Sequence, residues 1–304
     1  MTAGSSSPGD SRMSRSSEGG SGSLRRRERI VRPGEAVAEL DARCSLEQLE
    51  NAHPGLLFQR FPRIFRFDGR RYSTSEALEG FVEDAVGAFA VAGRSGAGRL
   101  LEDLHRRLDL VVADPACTRT YRSTWRVACG LGNPHPMENG LSLDPVTGVP
   151  VIPGSSVKGV ARVGAQLCDA AEEEIDIWFG RAPASKGDPA TGVGSVVFFD
   201  ALPRPWPRLE GDVITRHHDP ESLKHSDAPP LESDSPVPVP FLTLAPGTTF
   251  VFRIGAADGR RRLPGDWVAK TWEWLDAALE FNGVGAKTSA GYGQLRPSTA
   301  ARSR

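Results

Sequence analysis

The chain has 304 residues, of which 39% are hydrophobic and 25% charged, and a formal net charge of −1. That balance allows one or two packed domains and excludes a polycation, so any nucleic-acid surface has to be a local patch. No apolar run approaches the roughly 20 residues needed to cross a membrane, no secretory h-region follows the first arginines, and Cys44, Cys117, Cys129 and Cys168 lack CxxC or Cys/His spacing, which predicts buried thiols in a reducing cytosol and no metal site.

Residues 1–30 are mostly Ser, Gly and Arg. They cannot bury enough apolar surface to fold, which predicts a disordered tail, and the run Leu24-Arg-Arg-Arg-Glu-Arg29 could touch nucleic acid but reads more simply as a solvated part of it. Residues 31–115 predict a helical N-terminal extension without chemistry of its own, suited to a protein contact. Its helices are expected over 36–49, over 73–89 with Ser73 or Ser75 as N-cap, and over 98–110, where Leu100, Leu101, Leu104 and Leu108 recur at helical spacing.

A strand is predicted at 119–130. Tyr121, Ser123, Trp125, Val127 and Cys129 alternate there with Arg122, Thr124, Arg126 and Ala128, which places Arg122 and Arg126 on one face. Arg119 is expected to point the same way. Such a face either carries solvated cations or contacts phosphates.

Next comes Val149-Pro-Val-Ile-Pro-Gly-Ser-Ser-Val-Lys-Gly159. It predicts an extended segment ending at Pro153 and then a helix to about residue 170, with Ser155 or Ser156 as N-cap. Val157, Val160, Ala161, Gly164, Leu167 and Cys168 share one face, and Lys158 and Arg162 lie four apart on another. The amides of Gly154, Ser155 and Ser156 at a helix N-terminus, with Lys158 in the first turn, define a candidate anion site. Taken alone, the helix reads by default as a capped surface helix with two solvated cations.

Strands at 194–201 and 248–254, a helix at 264–281 and a strand at 291–295 complete a β-α-β-β-α-β order. The predicted fold is therefore α+β, with a ferredoxin-like (RNA-recognition-type) βαββαβ core at 116–297 and a short tail at 298–304. A long Pro-rich insertion, residues 203–246, separates the two middle strands, and loops of that length are functional or disordered.

The densest signal is Phe281-Asn-Gly-Val-Gly-Ala-Lys-Thr-Ser-Ala-Gly-Tyr-Gly-Gln-Leu295. Glycine at this density lets the backbone take φ > 0 and approach a partner closely, while Lys287 and the local amides favour an anion, read here as a phosphate chain. The alternative is a glycine-rich helix C-cap. A nucleotide-binding P-loop is excluded because Ala286 stands where that motif needs Gly, and because the helix precedes the loop instead of following it. Gly283, Gly285, Lys287, Thr288, Gly291 and Tyr292 are the candidate contacts. Replacing Gly285 with Val is expected to weaken phosphate binding and leave the fold largely intact.

An ordered set of segments carries a family resemblance: GLGNPHPMENG at 130–140, GVPVIPGSSVKGVAR at 148–162, WFG at 178–180, GSVVFFDALP at 194–203, PVPVPFLTLAPGTTFVFRI at 236–254 and GVGAKTSAGYGQL at 283–295. Together they resemble the RAMP family of CRISPR-associated proteins, and within it the sixth-subunit branch of the Cmr, or type III-B, effector complexes. Asp144, Val151 and the run Thr215-Arg-His-His-Asp-Pro depart from the family pattern. The resemblance implies a cytoplasmic, non-catalytic subunit that binds the guide RNA near its 3′ end, beside target RNA and the other Cmr subunits, with no cofactor, metal or membrane. It makes Gly154, Ser155, Ser156, Lys158, Arg162, Arg122, Arg126 and the glycine-loop residues the RNA-binding set.

The rival class is a metal-independent endoribonuclease processing CRISPR RNA. Its acid and base would come from His135, Glu138, Asp200, Asp212, His217, His218 and Asp219, with Lys287 steadying the developing charge. His135, between two prolines, reads more simply as a packed loop residue, and Asp200 as a turn cap.

Overall fold

The computed structural model describes residues 53–59, 65–67, 72–74, 78–135, 139–181, 192–216, 237–257 and 263–298. The tail at 1–30, the helix expected at 36–49 and the tail beyond Ser298 lie outside them.

Helix α1 (Pro54–Gln59) precedes an antiparallel hairpin, β1 (Phe65–Phe67) with β2 (Tyr72–Thr74), and then come α2 (Leu78–Arg94) and α3 (Gly96–Val111). The front of the chain is thus not wholly helical. Ser73 and Thr74, expected to open a helix, join Tyr72 in a strand, as suits an aromatic residue followed by a run that ends on a β-branched one. Phe89 and Leu101 belong to the same buried cluster as the rest of the described fold. Trp206 ties α2 to the start of the proline-rich stretch, its Nε1 donating to the Phe89 carbonyl at 3.1 Å and its ring lying 4.7 Å from that of Phe89.

The main sheet runs β4 (Val196–Phe198), β8 (Thr249–Ala256), β3 (Thr118–Ser123), β9 (Leu295–Pro297), every neighbouring pair antiparallel, with β5 (Leu202–Pro203) also on β8. Helices α4 (Gly154–Leu167) and α6 (Trp267–Phe281) cover the face that carries Tyr121 and Phe252, the Tyr121 hydroxyl donating to Asp276 of α6 at 2.7 Å. The two helices touch at Gly164, where any Cβ would overlap the Trp274 carbonyl, so only glycine permits the crossing. An additional helix, α5 (Glu172–Phe179), opens with three glutamates that suit a helix N-terminus. It buries Ile175, Trp178 and Phe179, and Trp178 Nε1 donates to Thr271 Oγ1 of α6 at 3.0 Å.

The opposite face of β8 meets α3. Arg253, 1% exposed, donates from Nε and Nη2 to Asp109 Oδ1 at 3.1 and 2.6 Å, and from Nη2 to His105 Nδ1 at 3.2 Å. His105 Nε2–H then donates to the Pro203 carbonyl at 3.0 Å. Burial lowers the pKa of this ring, which fits the neutral tautomer the contacts require.

The expected elements are shorter than the sequence pattern implied. The helix predicted to reach residue 170 ends at Leu167, so Leu167 and Cys168 are exposed and Ala165 fills the buried face instead. Cys117 and Cys129 are buried, but Cys168 is not, which corrects the expectation of buried thiols throughout. The last strand is Leu295–Pro297, because Gly291 and Gly293 take φ of 89° and 73° and cannot extend it.

The flanks of the proline-rich insertion form a ribbon of their own, β6 (Leu209–Arg216) paired antiparallel with β7 (Val237–Leu244), from Leu209↔Leu244 to Arg216↔Val237. Pro238 and Pro240 alternate with the β7 residues that bond β6. Their missing amides therefore lie on the outer edge, in phase with the Leu244 amide that donates to Val127 O at 2.8 Å. Two absent donors discourage a further strand from adding there.

Candidate nucleic-acid interface

The two glycine-bearing elements, more than a hundred residues apart in sequence, meet in space. A cleft of about 500 Å³ is lined by Ser156, Gly159, Val160 and Val163 of α4, by Asn282–Ala286 and Thr288 of the glycine loop, and by Gly130–Gly132. Gly130–Gly132, Gly159 and Asn282 were not among the expected contacts. Their only sequence signals were a Gly-Leu-Gly triplet and a glycine inside a helix. None of the described residues lining the cleft carries an ionisable carboxylate, imidazole or ammonium group.

At the N-terminus of α4 the cap is not Ser155 or Ser156. Pro153 holds the N-cap position, the helix starts at Gly154, and Asp200 Oδ1 accepts from the Gly154 amide at 2.6 Å. A carboxylate thus already answers part of the positive helix end. Ser155 is exposed, and Ser156 and Lys158 are half-buried. Arg162 donates to the Gly180 carbonyl at 3.2 Å and so closes the end of α5.

The glycine loop is bonded largely to its own protein. Gly283 N donates to Ala278 O, Val284 N to Gly293 O, Ala286 N to Ala128 O, Gly291 N to Thr288 O, Tyr292 N to Lys287 O and Gly293 N to Arg126 O, over 2.7 to 3.3 Å. Lys287 itself has φ 60°. The glycines at 283, 285 and 293 each face backbone from another part of the chain. Three of the four glycines are therefore accounted for by internal close approach, Gly291 being set by its φ of 89° alone, and amides spent in this way are not a phosphate nest. At Gly285, with φ 97°, a Cβ would overlap the Ala128 carbonyl. Gly285→Val is accordingly expected to destabilise the fold by about 2 kcal/mol or more, seen as a lower denaturation midpoint, contrary to the expectation of an intact fold. A midpoint equal to the parent chain's would refute that packing.

The three-arginine face does not form. Period two pairs Arg119 with Tyr121, not Arg122, and both bond Asp276, Arg119 Nη1 at 2.7 Å. Arg122 lies on the other face, exposed, with Nε donating to Gly247 O at 3.2 Å. Strand β3 stops at Ser123 because the pairing partner changes: Val127 bridges to Leu244 and Ala128 to Ala286. Arg126 falls beyond the strand, held by Glu210 at 3.0 Å and Asp212 at 2.9 Å.

Asp212 also accepts from the Tyr292 hydroxyl, whose ring lies 6.2 Å from Phe241, and Lys287 Nζ sits 5.4 Å over the same Phe241 ring. Burial pushes the Asp212 carboxyl up, but the Tyr292 hydroxyl, the Val213 amide and Arg126 outweigh it and hold its pKa below the ordinary value. The base of the β6–β7 ribbon is therefore pinned to the glycine loop, with the Lys287 ammonium stacked on an aromatic ring.

The residues weighed for a nuclease have other partners. His135 Nε2 lies 2.8 Å from the Phe58 carbonyl with its ring stacked on that of Phe58 at 4.2 Å, and burial lowers its pKa. Asp200 caps α4, and Asp212 holds Arg126 and Tyr292. Glu138, His217, His218 and Asp219 lie outside the described residues. Asp144, one of the departures from the family pattern, accepts at Oδ1 from the Val146 and Thr147 amides at 3.1 and 2.7 Å and closes its own turn.

A family model of the RAMP superfamily matches residues 94–296, and the chain belongs to that superfamily. It is 29% identical over 243 residues to the CRISPR system Cmr subunit Cmr6 of Pyrococcus furiosus, covering 62% of this chain and 69% of that one. It is 31% identical over 196 residues to the CRISPR system CMR subunit Cmr6 of Saccharolobus solfataricus, covering 63% of this chain and 60% of that one. Among solved structures, a chain of the type III-B Cmr-beta complex bound to cognate target RNA shares the fold, with a TM-score of 0.52 and 20% identity over 86% of this chain and 95% of that one.

Proposed function

We propose that the chain is a non-catalytic, guide-RNA-binding subunit of a type III-B CRISPR effector, packed among the other Cmr subunits near the 3′ end of the guide, with target RNA beside it, in the cytoplasm. Superfamily membership and two Cmr6 relatives support the assembly. The antiparallel sheet, in which the core strands lie in the order second, third, first, fourth, is that of a split βαββαβ unit and supports a ferredoxin-like core.

The observation that carries the reading is the cleft. It joins the first turns of α4 to the glycine loop and lies close in sequence to Lys158 and Lys287, an arrangement suited to holding a strand without attacking it. Catalysis would need a placed acid and base, and the cleft lining supplies neither. Among the described residues no His, Cys, Asp and Glu cluster could hold a metal, and no helix is long and apolar enough to cross a membrane.

The test is copurification of the tagged chain with the other subunits and a bound small RNA, followed by cleavage assays on the assembly. His135→Ala with His217→Ala is expected to leave cleavage of target RNA and processing of guide RNA unchanged. A catalytic acid or base contributes about 10²- to 10⁴-fold in rate, so a loss of that size in a fully assembled complex would restore the ribonuclease reading.

A further inference from the structure

Two glycines of α4 stand in opposite situations. Gly164 is required by the crossing with α6, whereas at Gly159 an added Cβ would meet no atom within 4 Å, and the residue faces the cleft. A glycine inside a helix costs stability relative to alanine. Neither crowding nor an unusual φ accounts for this one. The same open space lies over Gly132 across the cleft. One residue from the cleft wall formed by Asn282, Phe281 leaves 75% of its surface in water at the end of α6. The cleft lining is uncharged and the loop amides are mostly spent within the protein, so the space suits an uncharged group better than a phosphate.

We propose that the cleft receives the base and ribose of one nucleotide of single-stranded RNA, seated against Gly159 and Gly132 with Phe281 offering a ring to stack on, while the phosphates stay outside at Lys158 and Lys287. This rests on the guide-binding reading and adds which part of the RNA enters. The missing Cβ at 159 is then the space that the nucleoside fills, and stacking on an exposed ring needs no particular sequence.

The test uses the assembled complex loaded with a fluorescein-labelled, guide-length single-stranded RNA. Gly159→Leu, which fills the cleft, and Phe281→Ala, which removes the ring, are each expected to weaken retention about tenfold, the scale of one lost stacking contact. Neither is expected to alter the salt dependence, since no phosphate contact is lost. Gly159→Ala is expected to raise the melting temperature of the chain by about 2 °C while weakening RNA retention, opposite signs that a purely structural glycine would not give. Wild-type affinity in both Gly159→Ala and Phe281→Ala overturns the proposal even if Gly159→Leu fails to fold. A parent complex that retains no RNA at all overturns the guide-binding reading itself, which is a separate result.

Discussion

Asp109→Ala is expected to cost the fold about 3 to 5 kcal/mol, the range for removing one partner of a buried ion pair. Asp109 is the carboxylate that compensates Arg253, whose side chain is 1% exposed against 48% for the aspartate, so nearly all the desolvation falls on the arginine. Arg253 Nη1 already lacks a partner, and Arg204 Nη1 lies 4.0 Å from Asp109 Oδ2. Arg204 keeps Glu102 at 3.0 Å, but losing the carboxylate leaves the buried Arg253 guanidinium uncompensated, with a neutral His105 unable to take its place. Because Arg253 joins β8 to α3, the damage is expected in both elements. Replacing the pair together, Arg253→Met with Asp109→Leu, is expected to recover most of the loss, because exchanging a buried ion pair for well-packed apolar groups is often neutral. Denaturation midpoints of the two variants check this. An unchanged midpoint for Asp109→Ala would show that Arg253 is compensated elsewhere.

This interaction was invisible in the sequence. Arg253 sits within Phe250-Val-Phe-Arg-Ile, which reads as a strand with one charge, and nothing local announces that α3 covers its second face. The strand and helix order was legible because Val157, Ala161 and Gly164, like Trp272, Leu275 and Leu279, recur at a clear helical period. Strand ends were not legible: β3 keeps alternating in sequence past Ser123, but its partners change from β8 and β9 to β7 and the glycine loop. That change moved Arg126 from a presumed RNA-facing row into an ion pair with Glu210 and Asp212. The glycine loop stands out in the sequence, although three of its glycines answer to Ala128, Val284 and Gly293 of the protein itself. Its meeting with α4 depends on helix packing 120 residues away and could not be read from either segment.

The proposed interface sets RNA phosphates against Lys158, at the start of the second turn of α4, and Lys287, stacked over Phe241. The Asp200 cap already offsets the helix end, so the whole charge of Lys158, more than the dipole, has to attract the phosphate. If each lysine neutralises one phosphate, Lys158→Ala with Lys287→Ala should flatten the plot of log K against log salt by about 0.7 per lost contact for single-stranded RNA, about 1.4 in all. The loss should be the same for guides of different sequence, because phosphate contacts position a strand without reading it. The most direct measurement is a set of RNA-binding isotherms at several salt concentrations, on parent and double-variant complexes shown to be equally assembled. A slope shallower by about 1.4 is the expected result; an unchanged slope would take both lysines out of the RNA interface.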